Sequence, residues 1–180
     1  MPDDVRSRLV AAGVGLVAEQ GIQALSLREI ARRAGVSHGA PRRYFPTHRE
    51  LLAAVARVGY DRLTARIGAL DRHGDPRRDL LALGRLYLDF ARADRGMFEL
   101  MFRYELLHGN REGLRAAGKP LFGVLVSLLP DRPTTLARAG AFWATLHGIA
   151  QLSLWGTLDV VGSGDPDALL SAAVDAYVED

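Results

Sequence analysis

Arg42 and Arg43 stand side by side in the stretch Ser37 to Glu50, SHGAPRRYFPTHRE, with His38 upstream of them and His48 downstream. A guanidinium fork can grip a phosphate through charge-assisted hydrogen bonds, or pair bidentately with guanine O6 and N7. An imidazole is a weaker cation whose charge depends on pH. Together these groups offer recognition of a polyanion. Little else in the chain competes for a chemical role. There is no cysteine, which removes disulfide scaffolds, thiolate zinc sites and cysteine nucleophiles. The histidines at 38, 48, 73, 108 and 147 are scattered without metal-ligand spacing. Neither a nucleophile elbow nor a metal-hydrolase motif is present. We therefore expect no enzyme, no catalytic residue, no metal and no cofactor.

The elements that must carry these cations announce themselves by local chemistry. Ser26 and Glu29 form the S-x-x-E of a capping box, and Leu27, Ile30, Ala31 and Ala34 follow on one helical face. Gly35 supplies a left-handed stop, and Val36 can tuck back into the core. Ser37 is expected to cap a second short helix from His38 to about Tyr44. Thr47 and Glu50 open a third after Pro46. Two short helices about a glycine turn, with a third at once behind, are the layout of a helix-turn-helix. On that layout the candidate DNA contacts are Ser26, Arg28, Ser37, His38, Ala40, Arg42, Arg43, Tyr44 and His48. Arg28 qualifies because a phosphate can sit against the first turn of its helix. Tyr44 divides between contact and anchor, whereas Arg32 and Arg33 read as solvated surface.

Residues Val5 to about Ala56 resemble the DNA-binding domain of the TetR family of bacterial transcriptional regulators. The family's stretch after the turn reads Val-Ser-x-Gly-x-Leu-Tyr-x-His/Tyr-Phe, matched here by Val36, Ser37, Gly39, Tyr44 and Phe45. Three positions depart from it: Pro41 replaces Leu, Arg42 replaces a Tyr that touches the DNA backbone, and His48 replaces a phosphate-contacting Lys. Pro41 falls near the fourth position of the expected second helix, where it forfeits only the first intrahelical bond. The resemblance implies double-stranded DNA as partner and a homodimer on a palindromic operator; with no cationic leader and apolar core at its start, the chain is expected to be cytoplasmic.

Composition agrees. The chain has 180 residues, 48% of them hydrophobic, enough for a sizeable core. The net charge of +2 conceals an asymmetry: residues 1–73 carry 12 basic against 7 acidic side chains, and residues 74–180 carry 11 against 14. The basic half is the half with the helix-turn-helix, which suits phosphate neutralisation. No strand-like alternation, repeat or low-complexity run appears, so the expected fold is all-α, with about nine helices. A helix from Val5 to Gln20 stops at Gly21, and another runs from His48 to about Leu70. The breakers Gly74 and Pro76 make residues 71–76 the best boundary. This gives a helix-turn-helix domain over 1–52, a linking helix over 48–70, and a helical effector-binding and dimerisation domain over 71–180. Beyond the boundary, helices are expected from Arg77 to about Ala93, across Arg95 to Leu107, from Arg111 to Leu129 with a break near Pro120, after Thr134 or Thr135, and from Pro166.

The second half carries a weaker resemblance. Trp143, His147 and Gly148, with the segment RADRGMFELMF from Arg92 to Phe102, are similar to the effector domain of a TetR subgroup named for a Trp-His-Gly signature. That resemblance implies dimerisation through the last two long helices and a cavity in each subunit for a small-molecule effector. Flexible Met and broad aromatic surfaces suit such a cavity, and the candidate ligand contacts are Tyr87, Met97, Met101, Phe102, Phe122, Trp143 and His147. Packed core is the competing role for each.

Two features invite other readings. Gly13, Gly15 and Ala18 match GxGxxA, but a helix surrounds them and no strand precedes, so no dinucleotide site is expected. Ala139 to Leu158 is 20 residues without formal charge, yet its His, Gln, Ser, Thr and Gly content favours a buried helix over a membrane span. The main alternative is a helical protein-interaction module that keeps this architecture without specific DNA binding.

Overall fold

The computed structural model describes residues 3–107, 112–162 and 164–178. Every regular element among them is helical. By its contacts the chain divides into two compact units. The first holds the residues up to Arg62 together with Asp94–Gly118, and the second holds Leu63–Ala93 and the residues from Lys119 onward.

In the first unit, α1 (Asp3–Gln20) stops at Gly21, whose φ of 75° lies in the left-handed region. α2 (Leu27–Arg33) opens as the sequence indicates, with Ser26 Oγ accepting the Glu29 N–H at 3.2 Å. The reciprocal half of the capping box is not made. Glu29 turns its carboxylate to Arg32, and the Ser26 N–H donates to the Ala24 carbonyl at 2.8 Å. At the other end Gly35, with φ 65°, lets the Val36 N–H reach Ala31 O at 3.1 Å and its own N–H reach Arg32 O at 3.2 Å, which is a Schellman motif.

α3 (Ala40–Tyr44) begins two residues later than the expected His38, and Ser37 does not cap it. Proline explains the shift. A start at His38 would place Pro41 where its missing N–H and its ring both conflict with the Ser37 carbonyl. Starting at Ala40 puts Pro41 in the first turn, where no partner for that N–H exists anyway. Ser37 O instead accepts the Ala40 N–H in a turn. α4 (His48–Gly68) follows with Thr47 Oγ1 accepting the Glu50 N–H at 3.2 Å.

The returning segment of this unit contains α6 (Arg95–Met101), α7 (Tyr104–Leu107) and α8 (Leu114–Ala117). Asp94 caps α6 through the Met97 N–H. The stretch from Arg95 to Leu107 is helical as expected, in two pieces separated after Met101. Met97, Phe98 and Met101 are fully buried. The two methionines lie against Gly59, where an added Cβ would come within 2.5 Å of Met101 Sδ. Tyr60 donates its hydroxyl to Met101 O at 3.0 Å, and burial pushes its phenol pKa up to about 12. Gly13 has an equally plain role, since a Cβ there would meet Val55 Cγ2 at 2.5 Å. The first glycine of the GxGxxA match is thus a helix-packing residue.

The second unit is built from α5 (Pro76–Ala93), α9 (Lys119–Leu128), α10 (Thr135–Trp155) and α11 (Pro166–Val178). Leu80, Tyr87, Phe142, Leu146, Leu170 and Val174 form its core. Gly84 admits the Leu170 side chain. The break near Pro120 falls at Gly118, again placing proline in a first turn, that of α9. Of the two expected caps of α10, Thr134 makes no side-chain bond, and Thr135 pins the preceding turn by donating to Pro130 O and accepting the Arg132 N–H. Asp79, 6% exposed, accepts the N–H groups of His73 and Gly74 and so fixes the loop into α5. These bonds, led by the His73 N–H, hold its carboxyl below the usual range. α10 ends at Trp155, and no helix among the described residues is long and apolar enough to cross a membrane.

Candidate nucleic-acid interface

Seven cationic side chains of the helix-turn-helix and the helix before it sort into two sets. The first set is engaged internally. Arg8 reaches from α1 to the Ala34 and Gly35 carbonyls and closes the C-terminal end of α2. Arg32 pairs with Glu29, and Arg33 with both carboxylate oxygens of Glu19. The hydrogen bonds from these guanidinium groups hold both carboxyls below their usual range. The second set is Arg28, His38, Arg42 and Arg43. All four are exposed, and none makes an ion pair or hydrogen bond among the described residues. Arg28 helps to lower the Glu29 carboxyl through space without pairing with it, and no such effect is seen for the other three among the described residues.

α3 holds two of them outward. Pro41 and Phe45 are buried, Ala40 and Tyr44 are half-buried, and Arg42 and Arg43 take the remaining face. Tyr44 therefore serves partly as anchor. His48, at the start of α4, donates from Nε2 to the Leu25 carbonyl at 2.5 Å, so its ring is fixed against the segment before α2. Ser26 and Ser37 are both exposed; Ser26 has its hydroxyl oxygen occupied as a cap. The nine residues singled out in sequence thus all fall in the first unit, on or beside α2, α3 and the start of α4.

The seven candidate ligand contacts are divided between the two units. Met97, Met101 and Phe102 belong to the first unit, where Phe102 sits edge-on to Tyr60 at 6.0 Å between centroids. Tyr87, Trp143 and His147 meet in the second. The Tyr87 hydroxyl and His147 Nδ1 are 2.8 Å apart, Trp143 stacks on the imidazole at 5.7 Å, and Tyr87 meets Trp143 edge-on at 5.3 Å. Phe122 is half-buried on α9. Burial holds the His147 pKa below its usual value, favouring the neutral ring. Gln151 completes the cluster, its Nε2 lying 3.4 Å from His147 Nε2. With that amide donating, the ring proton resides on Nδ1 and is donated to Tyr87. Sequence reading missed Gln151, although its spacing of four from His147 on one helix was a usable signal. It also missed Arg8, whose carbonyl partners lie 26 and 27 residues away and leave no local trace.

Residues 9–55 match the family described as bacterial regulatory proteins, tetR family, and residues 80–177 match the tetracyclin repressor-like C-terminal domain. The chain belongs to the TetR family. Among curated relatives it is similar to the HTH-type transcriptional regulator CymR of Pseudomonas putida, with 35% identity over 63 residues, 35% of this chain. That match spans 31% of the length of CymR. A protein of unknown function from Rhodococcus sp. RHA1 is similar along almost the whole chain: 32% identity, 96% of this chain and 93% of that one, TM-score 0.76. The multidrug binding protein EbrR, crystallised with ethidium, shares the fold at TM-score 0.71 and 24% identity, over 96% of this chain and 98% of its own. The tetR-family match over residues 9–55 lies in the first unit of this TetR chain, and the second unit holds most of the C-terminal match.

Proposed function

We propose that the protein is a sequence-specific transcriptional repressor that binds a palindromic operator as a homodimer and is released by a small, mostly apolar ligand. The observation that carries this reading is the sorting of cations. Arg8, Arg32 and Arg33 are engaged within the unit, while Arg28, His38, Arg42 and Arg43 are left exposed around α3. Free guanidinium groups on a helix anchored by Pro41 and Phe45 are placed to enter a major groove, where Arg pairs bidentately with guanine. Two such helices in a symmetric dimer would meet successive grooves about 34 Å apart. Support for a dimer comes from apolar side chains left bare on the second unit, Leu136, Trp155 and Val160.

For the ligand site we take Tyr87, Trp143, His147 and Gln151, whose aromatic faces and few polar tips suit a small aromatic molecule. Trp143, His147 and Gly148 on α10 also carry the Trp-His-Gly subgroup assignment. A ligand releases DNA only in so far as it binds the released conformation more tightly. EbrR, with its bound planar dye, supplies a reasonable first probe.

The test is fluorescence-anisotropy titration of the DNA upstream of the protein's own gene, against random duplex, across a range of salt. The expected result is binding at ~10⁻⁸ M or tighter with a steep salt slope. Replacing Arg42 and Arg43 together by Ala should weaken it by about a hundredfold or more. Weak, equal binding to both duplexes, unchanged in the double variant, would instead point to an interaction module of the same architecture.

A further inference from the structure

α3 has five residues, too few to hold a helical pose by its own hydrogen bonds. Its C-terminal anchor is Phe45, 2% exposed, whose N–H donates to Pro41 O at 2.8 Å. The outer side of that anchor is roofed by a side chain from another helix. The Arg6 guanidinium of α1 lies over the Phe45 ring, with Cζ 5.0 Å from the centroid. The same guanidinium is tied to a third element, since its Nη2 is 2.6 Å from Glu112 Oε1. Glu112 is held from the other side as well: Arg57 of α4 donates to its carbonyl at 3.2 Å and pairs with Asp61 at 2.9 Å. All these residues belong to the first unit.

We propose that Arg6 is a positioning residue for α3, and that Glu112 holds Arg6 flat on Phe45. Glu112 thereby sets the pose in which Arg42 and Arg43 are presented, although it lies more than sixty residues away in sequence. The proposal rests on the DNA-binding reading for its functional consequence, but its structural core can be read without DNA. The competing role for Arg6 is direct contact with a DNA phosphate. Its charge, however, already faces a carboxylate and the face of a ring, so it has little left for a third partner.

The experiment compares wild type, Glu112→Gln, Arg6→Gln, Arg6→Lys and the Glu112→Gln/Arg6→Gln double variant by two readouts. The first is amide hydrogen exchange across α3, above all at Phe45. The second is affinity for a duplex that the wild-type protein selects from a random pool, measured across salt. Glu112→Gln should speed exchange at Phe45 and weaken specific binding by about two- to fivefold. Arg6→Gln should do so by up to about tenfold, with the salt slope unchanged. Arg6→Lys, which keeps the charge and loses the flat face, should fall between. The double variant should be no worse than Arg6→Gln, because Glu112 acts through Arg6. Wild-type exchange in Glu112→Gln, or additive losses in the double variant, would overturn the proposal. So would a salt slope reduced by about one in Arg6→Gln, the sign of a lost phosphate contact. If wild type selects no duplex, the function proposed above fails, and the exchange readout still decides the role of Arg6.

Discussion

His147 is where a single side chain gives the second unit a measurable dependence on pH. Burial lowers its pKa, so the unfolded chain binds a proton more readily than the folded one between that lowered value and the ordinary value of about 6.5. Stability from the neutral ring is therefore fully present above about pH 6.5 and is lost as pH falls through the folded value. Urea denaturation at a series of pH values should show the wild type weakening on acidification below about 6.5. In His147→Gln that part of the slope should disappear. An unchanged slope in the variant would mean that the ring is solvated. Asp79 adds a second loss of the same sign at lower pH, as its lowered carboxyl finally takes up a proton. The histidine and its tryptophan were legible in the sequence as a pair worth marking. The hydrogen bond to Tyr87, sixty positions away, was not, because nothing local encodes it.

Helix ends were the most legible elements. Ser26, Gly35 and Thr47 act where the sequence placed them, because each end is settled by local residues. The start of α3 was misjudged because proline overrode a good cap at Ser37. Spacing between helices was hidden more thoroughly, since it depends on what a glycine faces. A Cβ at Gly96 would come within 2.6 Å of the Val17 carbonyl oxygen, a backbone atom with little room to yield. At Gly59 the obstacle is two methionine side chains, which can turn aside. Gly96→Ala should therefore cost about 1–3 kcal/mol, more than Gly59→Ala, in thermal or urea unfolding. Equal losses would mean that α1 and α6 part as easily as the methionines move.

At the scale of the molecule, the sequence reading divided the chain once, whereas the contacts gather residues 94–118 with the helix-turn-helix. A linear reading cannot anticipate a chain that leaves a unit and comes back to it. The all-α architecture was legible from the absence of alternation and the run of capped segments, and two adjacent arginines marked the candidate surface. What could not be read was which cations were already committed, because Arg33 finds Glu19 and Arg6 finds Glu112 only once the chain has folded. The bare Leu136, Trp155 and Val160 give a prediction at this scale. Sedimentation should report a dimer at micromolar concentration, and Trp155→Glu should shift it toward monomer. A monomeric wild type would remove the symmetric operator from the proposed function.

The glycines of this fold also mark where it could be made more heat-tolerant. Gly13, Gly59, Gly84 and Gly96 each admit a neighbour, so the common device of strengthening a helix by alanine would backfire there. Gly123, Gly140 and Gly148 lie inside α9 and α10 and face no atom of their own chain within 4 Å, so within one subunit they carry helix entropy without a packing return. Alanine at these three positions should recover about 0.5–1 kcal/mol each, making α9 and α10 the part of the chain with stability held in reserve.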